Sequence, residues 1–115
     1  MQAAVFHGVG TPLAIEDVDE PELRPGDVMI KIEYCGICGS DLHATQAGDL
    51  VVPDGMILGH EFTGEIVEIG AEAGDEWQLG QRVTAVPVNA CDDCGRQSKF
   101  GRGIHCANNL ITGFG

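Results

Sequence analysis

The chain of 115 residues is about one domain in size, and with 43% hydrophobic and 21% charged residues it can bury a modest core, which excludes a disordered chain. Eighteen Asp and Glu against six Lys and Arg leave a formal charge of −12. That field repels phosphate backbones and anionic membranes and argues against a nucleic-acid partner; its plain role is solubility. Along the chain, β-type segments alternate with turn signals. Ala3–His7 is the first, and Leu13–Val18 follows a Gly10-Thr11-Pro12 break. After the Pro25-Gly26-Asp27 turn, Val28, Ile30, Ile32 and Tyr34 alternate with Met29, Lys31 and Glu33, and this period of two predicts the clearest strand. One short helix is expected from Asp41 to about Gln46, with Ser40 as its N-cap. Pro53-Asp54-Gly55 marks another turn. Glu61–Ile69 and Arg82–Val86 carry β-branched residues and end at Gly70 and Pro87. The stretch Asn89–Asn109 has no periodicity and holds three cysteines, so it is expected to protrude as a loop lobe, residues 89–109. Many short strands and little helix predict a mainly β fold, a small barrel or sandwich, with helix below about a third of the chain. No repeat and no internal domain boundary is visible.

No apolar window reaches the roughly 18 residues of a membrane span, and no basic start with an apolar stretch marks a leader. The expected setting is therefore the cytoplasm, with no membrane partner. There, five cysteines, an odd number, read as thiols or metal ligands rather than disulfides.

The chemistry concentrates in two segments. Cys38-Gly39-Ser40-Asp41-Leu42-His43 comes directly after the strong strand, and Gly59-His60-Glu61 opens a later one. A single cysteine is more often a small buried hydrophobe, and a single histidine is more often a satisfied polar group. Together, at the ends of separate strands, they can converge on one ion and leave a coordination position open, which distinguishes a catalytic zinc from a structural one. Asp41 and Glu61 flank the two ligand candidates, where a carboxylate can orient an imidazole. Cys35 completes a Cys-x-x-Cys with Cys38, a spacing also used in redox chemistry. A ligand role accounts better for Cys38, and Cys35 belongs to the strand end.

Gly59-His60-Glu61, two residues, Gly64, five residues, Gly70, two residues, Ala73 matches without a gap the signature of the zinc-containing medium-chain alcohol and polyol dehydrogenases. Gly36-Ile37-Cys38-Gly39-Ser40-Asp41 resembles that family's other ligand segment, and Pro25-Gly26-Asp27-Val28 and Gly80-Gln81-Arg82-Val83 resemble its recurrent turns. The resemblance runs over essentially the whole chain. It implies that residues 1–115 form a GroES-like, partly open β-barrel with short helices: the zinc-binding catalytic domain, a fragment without the nucleotide-binding Rossmann domain. Cys38 and His60 would hold the catalytic zinc, with Glu61 adjacent and a third protein ligand downstream of residue 115. Ser40 would take the substrate hydroxyl proton and relay it towards His43, and Asp41 would support His60. The implied reaction is oxidation of an alcohol or polyol with hydride transfer to NAD or NADP, in a full-length enzyme that forms a homo-oligomer. The fragment alone is expected to be inactive, since no Gly-x-Gly-x-x-Gly follows a strand within it.

A second cluster departs from the pattern. The family's structural zinc lobe carries C-x2-C-x2-C-x7-C, whereas in this stretch Cys91, Cys94 and Cys106 are the only cysteines. Counted from Cys94, the third ligand falls on Gln97 and the fourth on His105. Counted back from Cys106, the third falls on Ser98. With the third cysteine replaced, a closed tetrahedral zinc site is incomplete. Two other readings stay open. One is a zinc-binding interaction module built on the two Cys-x-x-Cys pairs, which stand much farther apart than the roughly 15–20 residues of a zinc ribbon. The other is a metal-free chaperonin-like barrel, which would have no use for the ligand cluster.

Overall fold

The computed structural model describes residues 1–48, 50–89 and 110–111, the last strand pair by its backbone. In chain order the elements are β1 (Gln2–Phe6), β2 (Ala14–Asp17), β3 (Val28–Gly36), a helix α1 (Gly39–Leu42), a π-helical turn (His43–Ala47), then β4 (Met56–Ile57), β5 (Glu61–Ile69), β6 (Arg82–Thr84), β7 (Val88–Asn89) and β8 (Leu110–Ile111). The molecule is mainly β, as the turn punctuation predicts, with four residues in α1 and five in the π turn as the helix among the described residues. β1 is the centre of one antiparallel sheet, between β2 and β4, and β5 is the centre of a second, between β3 and β6. The two sheets are open: among the described residues they do not join into a closed barrel. β7 and β8 form a separate two-stranded ladder, pairing Val88 with Ile111 and Asn89 with Leu110. The lobe predicted over residues 89–109 lies, beyond Asn89, outside the described residues.

β5 has the limits the sequence predicts, and it owes them to β-branched and aromatic residues bounded by glycine. Its Ile66 is fully buried and joins Val5, Phe6, Ala44 and Leu58 as the apolar core of the described residues. Gly64 lets β3 and β5 close. A methyl group there would meet the Lys31 carbonyl oxygen and stand 2.8 Å from Ile30 Cγ2, so backbone would have to move. Gly64→Ala is expected to cost at least about 2 kcal/mol by chemical denaturation of the intact protein, and a loss under about 0.5 kcal/mol would show the strands to be more pliant than this. At the far end of β5, the Gly70 amide donates to Asp27 O at 2.9 Å and Glu72 N to Pro25 O at 2.6 Å. The Pro25-Gly26-Asp27 turn, which introduces β3, is thus fastened to the end of β5.

The alternation in β3 gives the expected strand, and its apolar row is exposed towards the far end: Ile32 and Tyr34 are 56% and 72% exposed. Register shifts after Met29 and between Ile32 and Tyr34 break the alternation against β5, as β-bulges do. The helix begins earlier than predicted, and its N-cap is Cys38, not Ser40. The reason is Asp41, three residues on, whose Oδ2 reaches back to accept the Cys38 amide at 2.8 Å, half of a capping box. Ser40 lies inside the first turn, and its hydroxyl is turned elsewhere.

Candidate metal centre and catalytic cleft

Cys38 follows β3, and His60 and Glu61 enter and open β5. Because these strands pair, with Gly36 opposite Glu61, the two segments come side by side at one end of the sheet. The Cys38 thiol, a His60 ring nitrogen and a Glu61 carboxylate oxygen lie within 4.8 Å of one another. Two donors at about 2.0–2.3 Å from one zinc are roughly 3.5 Å apart in a tetrahedron, so small side-chain adjustments would close this set on an ion. Thiolate, imidazole and carboxylate are a donor set that zinc accepts, and three of them leave one position open. His60 is buried, Cys38 half-buried and Glu61 exposed, so solvent reaches the cluster from the Glu61 side.

Two neighbours flank the His60 ring. Nδ1 is 3.6 Å from Asp41 Oδ1, and Nε2 is 3.3 Å from Ser40 Oγ. A carboxylate beside Nδ1 favours the proton there, which leaves the Nε2 lone pair directed to the Ser40 side for a metal. Asp41 itself is 8% exposed, and a buried carboxylate needs partners. Its other oxygen takes the Cys38 amide, and its carbonyl accepts the Thr45 hydroxyl at 2.8 Å. One side chain therefore touches both ligand segments. The sequence pointed to Asp41 as a support for His60 but missed its hold on Cys38; the signal was an acidic residue three positions after the cap. Gly59, ahead of His60, has φ +110°, and a Cβ there would stand 2.8 Å from Cys35 Sγ, so glycine is required to bring His60 in. Cys35 and Cys38 are both free thiols.

Ser40 and Glu61 thus border the same group as Cys38 and His60. His43 opens the π turn, exposed, and is not part of the cluster. Cys91, Cys94 and Cys106 lie outside the described residues. A cleft of about 430 Å³ adjoins the cluster, walled by Tyr34, His60, Glu61, Phe62 and Thr84. A larger groove, about 590 Å³, is lined by Ala4, Leu13, Ile37, Leu42 and Leu58. Its wall carries none of the three clustered groups, so the smaller cleft is the candidate for the chemistry. No helix among the described residues is long and apolar enough to cross a membrane.

Fold and cleft together define a mainly β domain with a Cys-His-Glu cluster, a candidate metal centre, at the end of a strand pair. Residues 24–115 match the alcohol dehydrogenase GroES-like domain family, and the chain belongs to it. It is 39% identical to L-threonine 3-dehydrogenase of Rhizobium etli (strain CIAT 652), over 98% of this chain and 33% of that protein. Among solved structures, it matches 2R,3R-butanediol dehydrogenase from Bacillus subtilis with a TM-score of 0.80 and 34% identity, over 98% of this chain and 34% of that one. A protein from Sinorhizobium meliloti 1021, described as a zinc-binding dehydrogenase and bound to NADP, matches with a TM-score of 0.80 and 35% identity, over 98% and 32%. The chain spans about a third of the length of these relatives.

Proposed function

We propose that residues 1–115 are the zinc-binding catalytic domain of a dehydrogenase that oxidises an alcohol or polyol by hydride transfer to NAD or NADP, the nicotinamide being held by a nucleotide-binding domain in the longer protein. The observation that carries this is the Cys38, His60 and Glu61 group within 4.8 Å, with Ser40 against the same imidazole. A zinc held by Cys38 and His60, with Glu61 beside them, supplies Lewis acidity that lowers the pKa of an alcohol hydroxyl. Asp41 fixes the His60 ring and the Cys38 backbone so that both donors keep their direction. Ser40 Oγ, 3.3 Å from His60 Nε2, accepts the hydroxyl proton, and His43, three residues on, passes it to solvent. Glu61 keeps an exchangeable carboxylate on the solvent side of the cluster. The excess of acidic residues and the cluster both speak against a nucleic-acid or chaperonin-like role.

The relatives named above act on L-threonine and 2,3-butanediol, each a secondary alcohol next to a carbon bearing a second polar group, and this class is the substrate we assign. The enzyme is proposed to work in the cytoplasm as a homo-oligomer. The intact enzyme, purified without added metal, is expected to contain zinc and to reduce NAD or NADP with such alcohols. Metal analysis that finds no zinc, or no hydride transfer with any secondary alcohol after zinc is supplied, overturns the reading. In the lobe at 89–109, Cys91, Cys94 and Cys106 offer three thiolates where a closed structural site needs four. A second zinc is therefore expected to be lost on dialysis against chelator. A second equivalent that survives dialysis in the intact enzyme and disappears in Cys94→Ser would show the site to be complete.

A further inference from the structure

His7 directly follows β1 and has no part in the cleft. Its ring is bridged on both edges: Nε2 lies 2.6 Å from Glu16 Oε1 on β2, and Nδ1 lies 2.7 Å from Asp54 Oδ1 in the Pro53-Asp54-Gly55 turn. The carboxylates sit at opposite edges of the imidazole, so the three do not face one ion. A neutral imidazole has one N–H and can donate to only one of them; the imidazolium donates to both. Loss of the proton therefore sets a nitrogen lone pair against one carboxylate. Glu16 cannot withdraw easily, because the β1–β2 ladder pairs it with Ala3. Asp54 can: its side chain is 80% exposed, on a turn before the two-residue β4. Beneath this contact lies a space of about 310 Å³ whose walls include Phe6, Val9, Leu50, Val51 and Val52, all apolar.

We propose that His7 is a protonation-dependent clasp that fastens the Pro53–Gly55 turn to the β1–β2 hairpin, closed with the imidazolium and open with the neutral ring. Among the described residues, the charged groups that face His7 are Glu16 from β2 and Asp54 from the turn. The hydrogen bond to Glu16, followed by that to Asp54, raises the pKa of His7 above its ordinary 6.5. The sign follows from a folded value above the unfolded one. The clasp contributes fully below the unfolded pKa and is lost as pH climbs through the folded pKa. The turn leads through β4 to Gly59-His60-Glu61, so opening loosens the segment that delivers two of the candidate ligands. The clasp itself does not depend on whether those residues hold a metal.

Amide hydrogen exchange of the intact protein, followed by mass spectrometry from about pH 6 to 9 and corrected for the intrinsic rate, tests this directly. The reporters are peptides holding the amides of Gly55, bonded to Phe6 O at 2.8 Å, and Leu58, bonded to Ala4 O at 3.1 Å. Protection is expected to fall several-fold in one step with a midpoint above 6.5. His7→Gln should abolish the step and hold protection at the open level. Asp54→Asn should move the midpoint down, because one of the two raising carboxylates is neutralised. A flat profile in the wild type, or the same step in His7→Gln, overturns the clasp. Should His7→Gln fail to fold, Asp54→Asn decides alone, and an unmoved midpoint overturns it.

Discussion

Cys38→Ala in the full-length enzyme is expected to abolish bound zinc and alcohol oxidation together, with kcat/KM down by at least about 10³. The thiol is one of the three donors gathered within 4.8 Å, and His60 with Glu61 alone would leave an ion two protein ligands from this domain. A Lewis acid at a reacting oxygen lowers the barrier by several kcal/mol, and each 1.36 kcal/mol is a factor of ten. The fold should survive, since Cys38 is only half-buried and caps α1 through its backbone amide, which alanine keeps. The informative comparison is metal content and rate on one preparation. A Cys38→Ala enzyme that retains stoichiometric zinc would remove Cys38 from the ligand set. One that loses zinc but keeps its rate would remove zinc from the reaction.

The second large effect is at Ser40. Ser40→Ala is expected to lower kcat by about 10²–10⁴ with zinc retained, the usual worth of a positioned proton acceptor. The structural ground is that the hydroxyl is not spent on capping α1. Asp41 and Cys38 perform that task, and Ser40 Oγ is left 3.3 Å from His60 Nε2, at the mouth of the candidate metal site. Ser40→Thr keeps a hydroxyl on the same backbone and should recover most of the rate. The role is refuted if Ser40→Ala leaves kcat unchanged, or if threonine fails to rescue a Ser40→Ala defect in a folded, zinc-loaded enzyme.

How far the sequence carried the reading depended on whether a feature is local. β5 was legible at both ends because its β-branched run is bounded by glycine, and β3 because of its alternation. The burial of β3 was not legible, since it depends on bulges against β5 and on what covers Ile32 and Tyr34. β4 escaped notice because two residues, Met56 and Ile57, carry no period; their pairing with Phe6 and Val5 is set by the rest of the sheet. The candidate ligands were legible because Cys38 and His60 sit in motifs of dense spacing. The helix start was misplaced because Ser40 looks like a cap, while the capping carboxylate belongs to the next residue. Nothing local could have linked His7 to Glu16 and Asp54, which meet only after two strands and a turn have folded.

The pairing of Gly36 with Glu61 has a consequence for how the protein matures. Glu61 occupies the last rung of the β3–β5 ladder, with His60 just before it and Cys38 two residues beyond Gly36, so their convergence depends on every other rung being correctly matched. A slip of one residue would turn the Glu61 side chain to the opposite face and carry His60 about 3.4 Å along the strand. The three donors would then no longer meet. With zinc held as proposed, its uptake would act as a proofreading step: a misaligned sheet would stay metal-free, and the ion would lock in only the chain whose strands have found their proper match.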